Sequence, residues 1–157
     1  MMLTERGAYY QYYCSMLLKL PADNILHQTT WHLIYHEYET AFCQNQLSGE
    51  AFQVYAFYGD PVCALIGPGK DWGLVGGNVL VWFNLQNKMI QVLDAPAWVF
   101  RLRQEDEHTV HVLTDPWGED PAIWLLKIGS GQEPEPAIRI RAFPDYVGLP
   151  FTDEVRW

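Results

Sequence analysis

The chain has 157 residues and a mass of 18.2 kDa, the length of one domain. With 49% apolar and 18% charged residues, intrinsic disorder is excluded. The formal charge of −9 and the pI of about 4.8 exclude nucleic-acid phosphate and anionic membrane surfaces as expected partners, because both select basic patches.

Two helices are expected first. One covers about residues 4–18, where Tyr9, Tyr12, Tyr13, Met16 and Leu17 recur at helical spacing and Pro21 supplies a stop. The second covers about residues 29–45, where Trp31, Ile34, Tyr35, Tyr38, Ala41 and Phe42 form a stripe at i, i+3, i+4, i+7. The alternation Trp31, Leu33, Tyr35 is a competing strand signal; the helical stripe covers more residues. From Ala51 the period becomes two. Phe52 to Tyr58, Val62 to Ile66, Asp71 to Val75, Val79 to Phe83, Met89 to Leu93, Trp98 to Arg103, Thr109 to Leu113, Ile123 to Ile128 and Ala137 to Arg141 all read as strands. Gly, Pro, Asn and Asp separate them. In the strand from Trp98, Trp98, Phe100 and Leu102 share one face. Phe143, Tyr146, Phe151 and Trp157 call for a docked tail over 142–157.

The expected fold is therefore α+β in a single domain of residues 1–157. An antiparallel β-meander of about eight short strands (residues 51–141) carries one or two N-terminal helices (4–45) packed on it. A closed barrel is the variant of this meander. No internal repeat is visible. Glu5, Arg6 and Lys19 break any secretory pattern, and Cys14, Cys43 and Cys63 are odd in number with no Cys-x-x-Cys pair, so a cytoplasmic protein is expected.

No reaction is named by any motif. On a helix, His32, His36, Glu39 and Cys43 would fall in one sector as possible metal ligands. Leu33, however, stands where a zinc protease needs Glu, and solvated histidines are the simpler reading. His108 and His111 would face opposite ways on a strand. Gly67-Pro68-Gly69-Lys70 lacks the phosphate-loop spacing, and no serine lies in Gly-x-Ser-x-Gly. The expectation is no catalytic residue, no metal, no cofactor and no enzyme.

Charge position is more informative. Residues 104–135 hold eight acids against the single base Lys127. Glu105, Asp106, Glu107, Asp115, Glu119 and Asp120, with Trp117 among them, are the expected partner-binding residues. An aromatic beside charge is a common hot-spot pattern, and such a patch speeds encounter with a basic partner. Solubility is the competing explanation of the same acids. Edge strands of an open sheet would also allow homodimer pairing.

In size, acidity and single-domain texture the chain resembles the small acidic immunity proteins of bacterial polymorphic toxin systems. The segments that carry this similarity are Phe57-Tyr58-Gly59-Asp60-Pro61, residues 71–77 (Asp71-Trp72-Gly73-Leu74-Val75-Gly76-Gly77), and Thr114-Asp115-Pro116-Trp117 with Ala122-Ile123-Trp124. They lie within residues 50–157 and transfer no functional residue. The resemblance implies a non-enzymatic inhibitor that binds a cognate, basic toxin and occludes its active site. The alternative is a small-molecule-binding β-barrel or minor enzyme with an aromatic-lined pocket.

Overall fold

In the computed structural model the described residues are 22–130 and 132–157. They form twelve antiparallel strands in three four-stranded sheets, with no α-helix among them. The first sheet contains β1 (Ile25–Gln28), β2 (His32–Glu37), β3 (Thr40–Asn45) and β4 (Ala51–Ala56). The middle sheet contains β5 (Cys63–Ile66), β6 (Trp72–Gly76), β7 (Leu80–Asn84) and β8 (Ile90–Val92). The last contains β9 (Val99–Asp106), β10 (Thr109–Thr114), β11 (Ala122–Lys127) and β12 (Ile138–Ala142). Each sheet is a meander in chain order.

The α+β expectation is thereby corrected to all-β. The helix expected over 29–45 is the β2–β3 hairpin, in which Glu37 pairs with Thr40 across the two-residue turn Tyr38-Glu39. Both faces of β2 are buried from Leu33 to His36, so apolar Ile34 interrupts the alternation of Trp31, Leu33 and Tyr35 and lets the helical stripe outweigh it. The turn also lacks the Gly or Asn that usually announces a hairpin. The helix expected over 4–18 lies outside the described residues. The single meander over 51–141 is instead β4 and two further sheets, and no barrel closes among the described residues.

The sheets repeat. Their first strands begin at Ile25, Cys63 and Val99, a step typical of repeat architectures. β1 lies beside β5, and β5 beside β9. One local device recurs. Asn45 Oδ1 accepts the N–H groups of Leu47 (2.9 Å) and Ser48 (3.0 Å). Asn84 Oδ1 does the same for Gln86 (2.8 Å) and Asn87 (3.0 Å). Each turn then passes through a left-handed residue, Gly49 at φ 75° and Lys88 at φ 60°. Four-stranded meanders stacked in sequence with their first strands adjacent are arranged like blades of a β-propeller.

Strands β5 to β7 of the middle sheet are buried on both faces. Toward the first sheet they present Ala64, Ile66, Val75, Val81 and Phe83, which meet Ile34, Cys43, Val54 and Phe57. Toward the last they present Cys63, Trp72, Leu74, Leu80 and Trp82, which meet Val99, Val110, Val112 and Leu126. Alternation within a strand divides its side chains between the two cores. The far face of the last sheet is covered by the tail, where Phe143, Tyr146, Val155 and Trp157 pack on Leu113 and Ile123.

Two consequences can be measured. Burial pushes the thiols of Cys43 and Cys63 up to about 12, and both are free and buried. Maleimide labelling near neutral pH is expected to leave both unmodified in the folded protein and to reach both in strong guanidinium, because the thiolate is the nucleophile. Burial also lowers the pKa of His27 and of His32, the latter with help from Lys70. Below the ordinary imidazole value of 6.5 the unfolded chain then binds more protons than the folded one. Stability is fully present above that value and is lost as pH falls through it. The urea midpoint is expected to drop between about pH 7.5 and about pH 5.5, and His27→Gln should flatten that slope.

Candidate functional site: the loop end around Trp98

In each antiparallel meander, successive turns alternate between the two ends of the sheet. The β4–β5, β6–β7, β8–β9 and β10–β11 connections therefore emerge together. They are also hydrogen-bonded to one another. Tyr58 N–H donates to Asn78 Oδ1 at 3.0 Å. Trp98 N–H donates to the Asn78 carbonyl at 3.1 Å, Val99 N–H to Gly77 at 2.8 Å, and Asp115 N–H to the Trp98 carbonyl at 2.8 Å.

Trp98 is the joint of this network. Its φ is +53°, in the left-handed region that costs a bulky side chain about 1–2 kcal/mol. Both of its own backbone polar groups and the following N–H are engaged, which holds the conformation. The indole, 59% exposed, stands between two clefts that share Trp98 and Asp115 as walls. The first cleft, about 580 Å³, is completed by Pro96, Thr114, Glu119, Asp120 and Trp124. The second, about 490 Å³, is completed by Tyr58, Asp60, Phe100, Trp117 and Phe151. Tyr58 and Phe151 are 80% and 69% exposed.

The electrostatics are one-sided. The four connections carry Asp60, Asp94, Asp115, Glu119 and Asp120 and no Lys or Arg. Asp120 meets Arg139 at 2.9 Å, and Asp115 Oδ1 accepts the Trp117 N–H at 3.0 Å. Asp60, Asp94 and Glu119 are exposed, and none forms an ion pair among the described residues. Aromatic faces beside unpaired carboxylates attract a cation twice, through the ring quadrupole and through charge.

The expected partner-binding residues are divided between opposite ends of the last sheet. Asp115, Trp117, Glu119 and Asp120 belong to the loop end. Glu105, Asp106 and Glu107 lie at the β9–β10 hairpin, separated from them by the six residues of β10, roughly 20 Å of strand. There Glu105 is ion-paired with Arg103 and lies 3.1 Å from His111 Nδ1, and Asp106 Oδ1 accepts the His108 N–H at 2.9 Å. Hydrogen bonding to Arg103 lowers the Glu105 pKa, and the His108 N–H lowers that of Asp106. Trp117 is half-buried rather than projecting. It packs on Phe151 at 4.9 Å and edge-on to Phe100 at 5.6 Å.

Trp98, Tyr58, Asp60, Asp94 and Phe151 belong to the site although none is among the partner-binding residues expected from sequence. Trp98, read as the first residue of a strand face, sits one residue before β9. The signal for it was Ala95-Pro96, a break that places the next residues in a loop. The metal sector of His32, His36, Glu39 and Cys43 dissolves in the hairpin. His32 and His36 pair with Asn45 and Ala41, four residues apart on an extended strand, and no group of three metal-ligand types gathers among the described residues.

By fold and site the chain is an all-β protein of repeated four-stranded sheets with an acidic, aromatic loop end. No protein-family model matches it, and no curated protein matches its sequence.

Proposed function

We propose that the chain is a non-enzymatic recognition module that takes a basic segment of another protein on the loop end around Trp98. The observation that carries this reading is Trp98 itself, a large aromatic held exposed at a costly backbone angle between clefts whose rims bear carboxylates alone. Strain of this kind persists where surrounding bonds over-determine it, and it clusters at binding sites. The immunity-type resemblance gives the reading a specific form, in which the partner is a basic toxin and the loop end covers its active site. Binding is then expected to weaken with salt, as for any charge-steered encounter. Arginine- and lysine-bearing peptides with apolar neighbours, tested by fluorescence anisotropy beside acidic counterparts, should bind selectively. Affinity unchanged in both Trp98→Ala and Asp60→Lys/Glu119→Lys would remove the site from the function.

The second cleft favours a competing reading. Its aromatic lining and volume of about 490 Å³ fall within the range of small-molecule pockets. Saturable stabilisation by a neutral aromatic metabolite, lost in Trp98→Ala and insensitive to Asp60→Lys/Glu119→Lys, would favour that reading over a basic protein.

A further inference from the structure

The second cleft beside Trp98 has the composition of an aromatic cage. Five rings line it, those of Tyr58, Trp98, Phe100, Trp117 and Phe151. Trp117 packs on Phe151 and meets Phe100 edge-on, and Phe100 already carries the Arg101 guanidinium at 4.3 Å. The other two rings stand apart. Among the described residues, Tyr58 and Trp98 stack on no aromatic neighbour and hold no Lys or Arg over their faces. Both are largely exposed, so their faces are open to a ligand.

The polar groups of the cleft narrow the choice of cation. Asp60 and Asp115 are its only charged lining residues among those described. Five acceptors on the lining residues are already in use. The Asn78 carbonyl takes the Trp98 N–H, the Gly77 carbonyl that of Val99 and the Trp98 carbonyl that of Asp115. Asn78 Oδ1 takes the Tyr58 N–H and Asp115 Oδ1 that of Trp117. A lysine ammonium brings three N–H donors and a tightly held hydration shell, so entering the cleft strips water that few lining groups replace. A guanidinium, with five N–H donors, meets the same shortage. A trimethylammonium group keeps the charge, has no donor to satisfy and sets its methyls against ring faces.

We propose that the second cleft receives the trimethylammonium group of a trimethylated lysine on the partner protein. This deepens the reading of the loop end as a site for a basic segment, and rests on it. Tyr58, Trp98 and Phe151 supply ring faces to the cation, and Asp60 supplies charge at the rim. A protein-borne group fits better than a free small cation because the first cleft adjoins the second through their shared walls, Trp98 and Asp115. An extended segment can therefore seat the modified lysine in one cleft and a second basic side chain beside Glu119 and Asp120 in the other.

The test uses four fluorescent peptides of one sequence, each with an arginine two residues from a central position. That position holds lysine, arginine, trimethyllysine, or the uncharged carbon isostere of trimethyllysine, which ends in a tert-butyl group. The trimethyllysine peptide is expected to bind about tenfold or more tightly than each of the other three. Tyr58→Leu keeps apolar area, disturbs no ring pair and removes one quadrupole, so it should shrink that preference by about threefold or more. Free choline should compete only at about a hundredfold higher concentration than the trimethyllysine peptide. Equal binding of all four peptides, sensitive to Trp98→Ala, overturns this inference and leaves the loop-end reading standing. Equal binding of the isostere and trimethyllysine assigns the cleft to neutral ligands, and choline as tight as the peptide assigns it to a free cation; either overturns the inference. Binding of no peptide removes the loop-end reading as well.

Discussion

Phe83→Ala is expected to be the most damaging single truncation in the middle sheet, lowering stability by about 3–5 kcal/mol. Phe83 is fully buried and sits in β7 directly across from Gly73 in β6. Its ring lies over that glycine: a Cβ built on Gly73 would come within 2.2 Å of the ring edge. On its other side the ring meets Phe52 of the first sheet edge-on, at 5.8 Å. The same ring therefore covers a glycine within its own sheet and fills the space between two sheets. Gly73→Ala should fail for the converse reason, since overpacking a tight core costs about 1–3 kcal/mol. The two positions share one volume, so Gly73→Ala combined with Phe83→Leu should recover part of the loss rather than add to it. Urea unfolding of the two single variants and the double variant measures this coupling. Strict additivity would contradict the contact.

Trp98 should separate binding from stability. Trp98→Gly and Trp98→Ala both remove the indole, and each is expected to weaken partner binding by about 2–4 kcal/mol, the range of an aromatic hot spot. Their stabilities should differ. At a φ of +53° alanine keeps the steric penalty that glycine lacks, so the glycine variant should be more stable than the alanine variant by about 1 kcal/mol. Equal stability of the two would mean that the backbone carries no strain there. Equal affinity of both variants and the parent protein would mean that the indole is a passive surface residue.

The strands from Ala51 onward are legible in the sequence because turns with Gly, Pro, Asn and Asp punctuate them. The hairpin of β2 and β3 is not, for its two buried faces and the Tyr38-Glu39 turn imitate an amphipathic helix. The repeat is hidden for a related reason. Asn45 and Asn84 open the same turn, but its left-handed position is Gly49 in one sheet and Lys88 in the other, so no shared glycine marks it. The division of the acids follows from topology alone. Glu105 to Glu107 and Asp115 to Asp120 flank opposite ends of one strand, and consecutive hairpin turns cannot lie on the same side. Trp98 is missed because a tryptophan preceding Val99, Phe100 and Leu102 reads as part of their strand. The break at Ala95-Pro96 is its one trace in the sequence, and the hydrogen bonds to Asn78 and Asp115 reveal it as a loop residue.

The doubly covered middle sheet also constrains the order in which the molecule assembles. Every strand pair joins sequence neighbours, so the closure entropy of each hairpin is small and the meanders can form locally and fast. The middle meander gains least from forming alone, because half of its side chains would face water on either side. It becomes stable only as a neighbour docks, through contacts between residues far apart in the chain. The slow, committing event is therefore the stacking of sheet on sheet. A substitution at the Gly73–Phe83 pair acts on that event, while one at an outer turn such as Asn45 acts mainly on a meander already made.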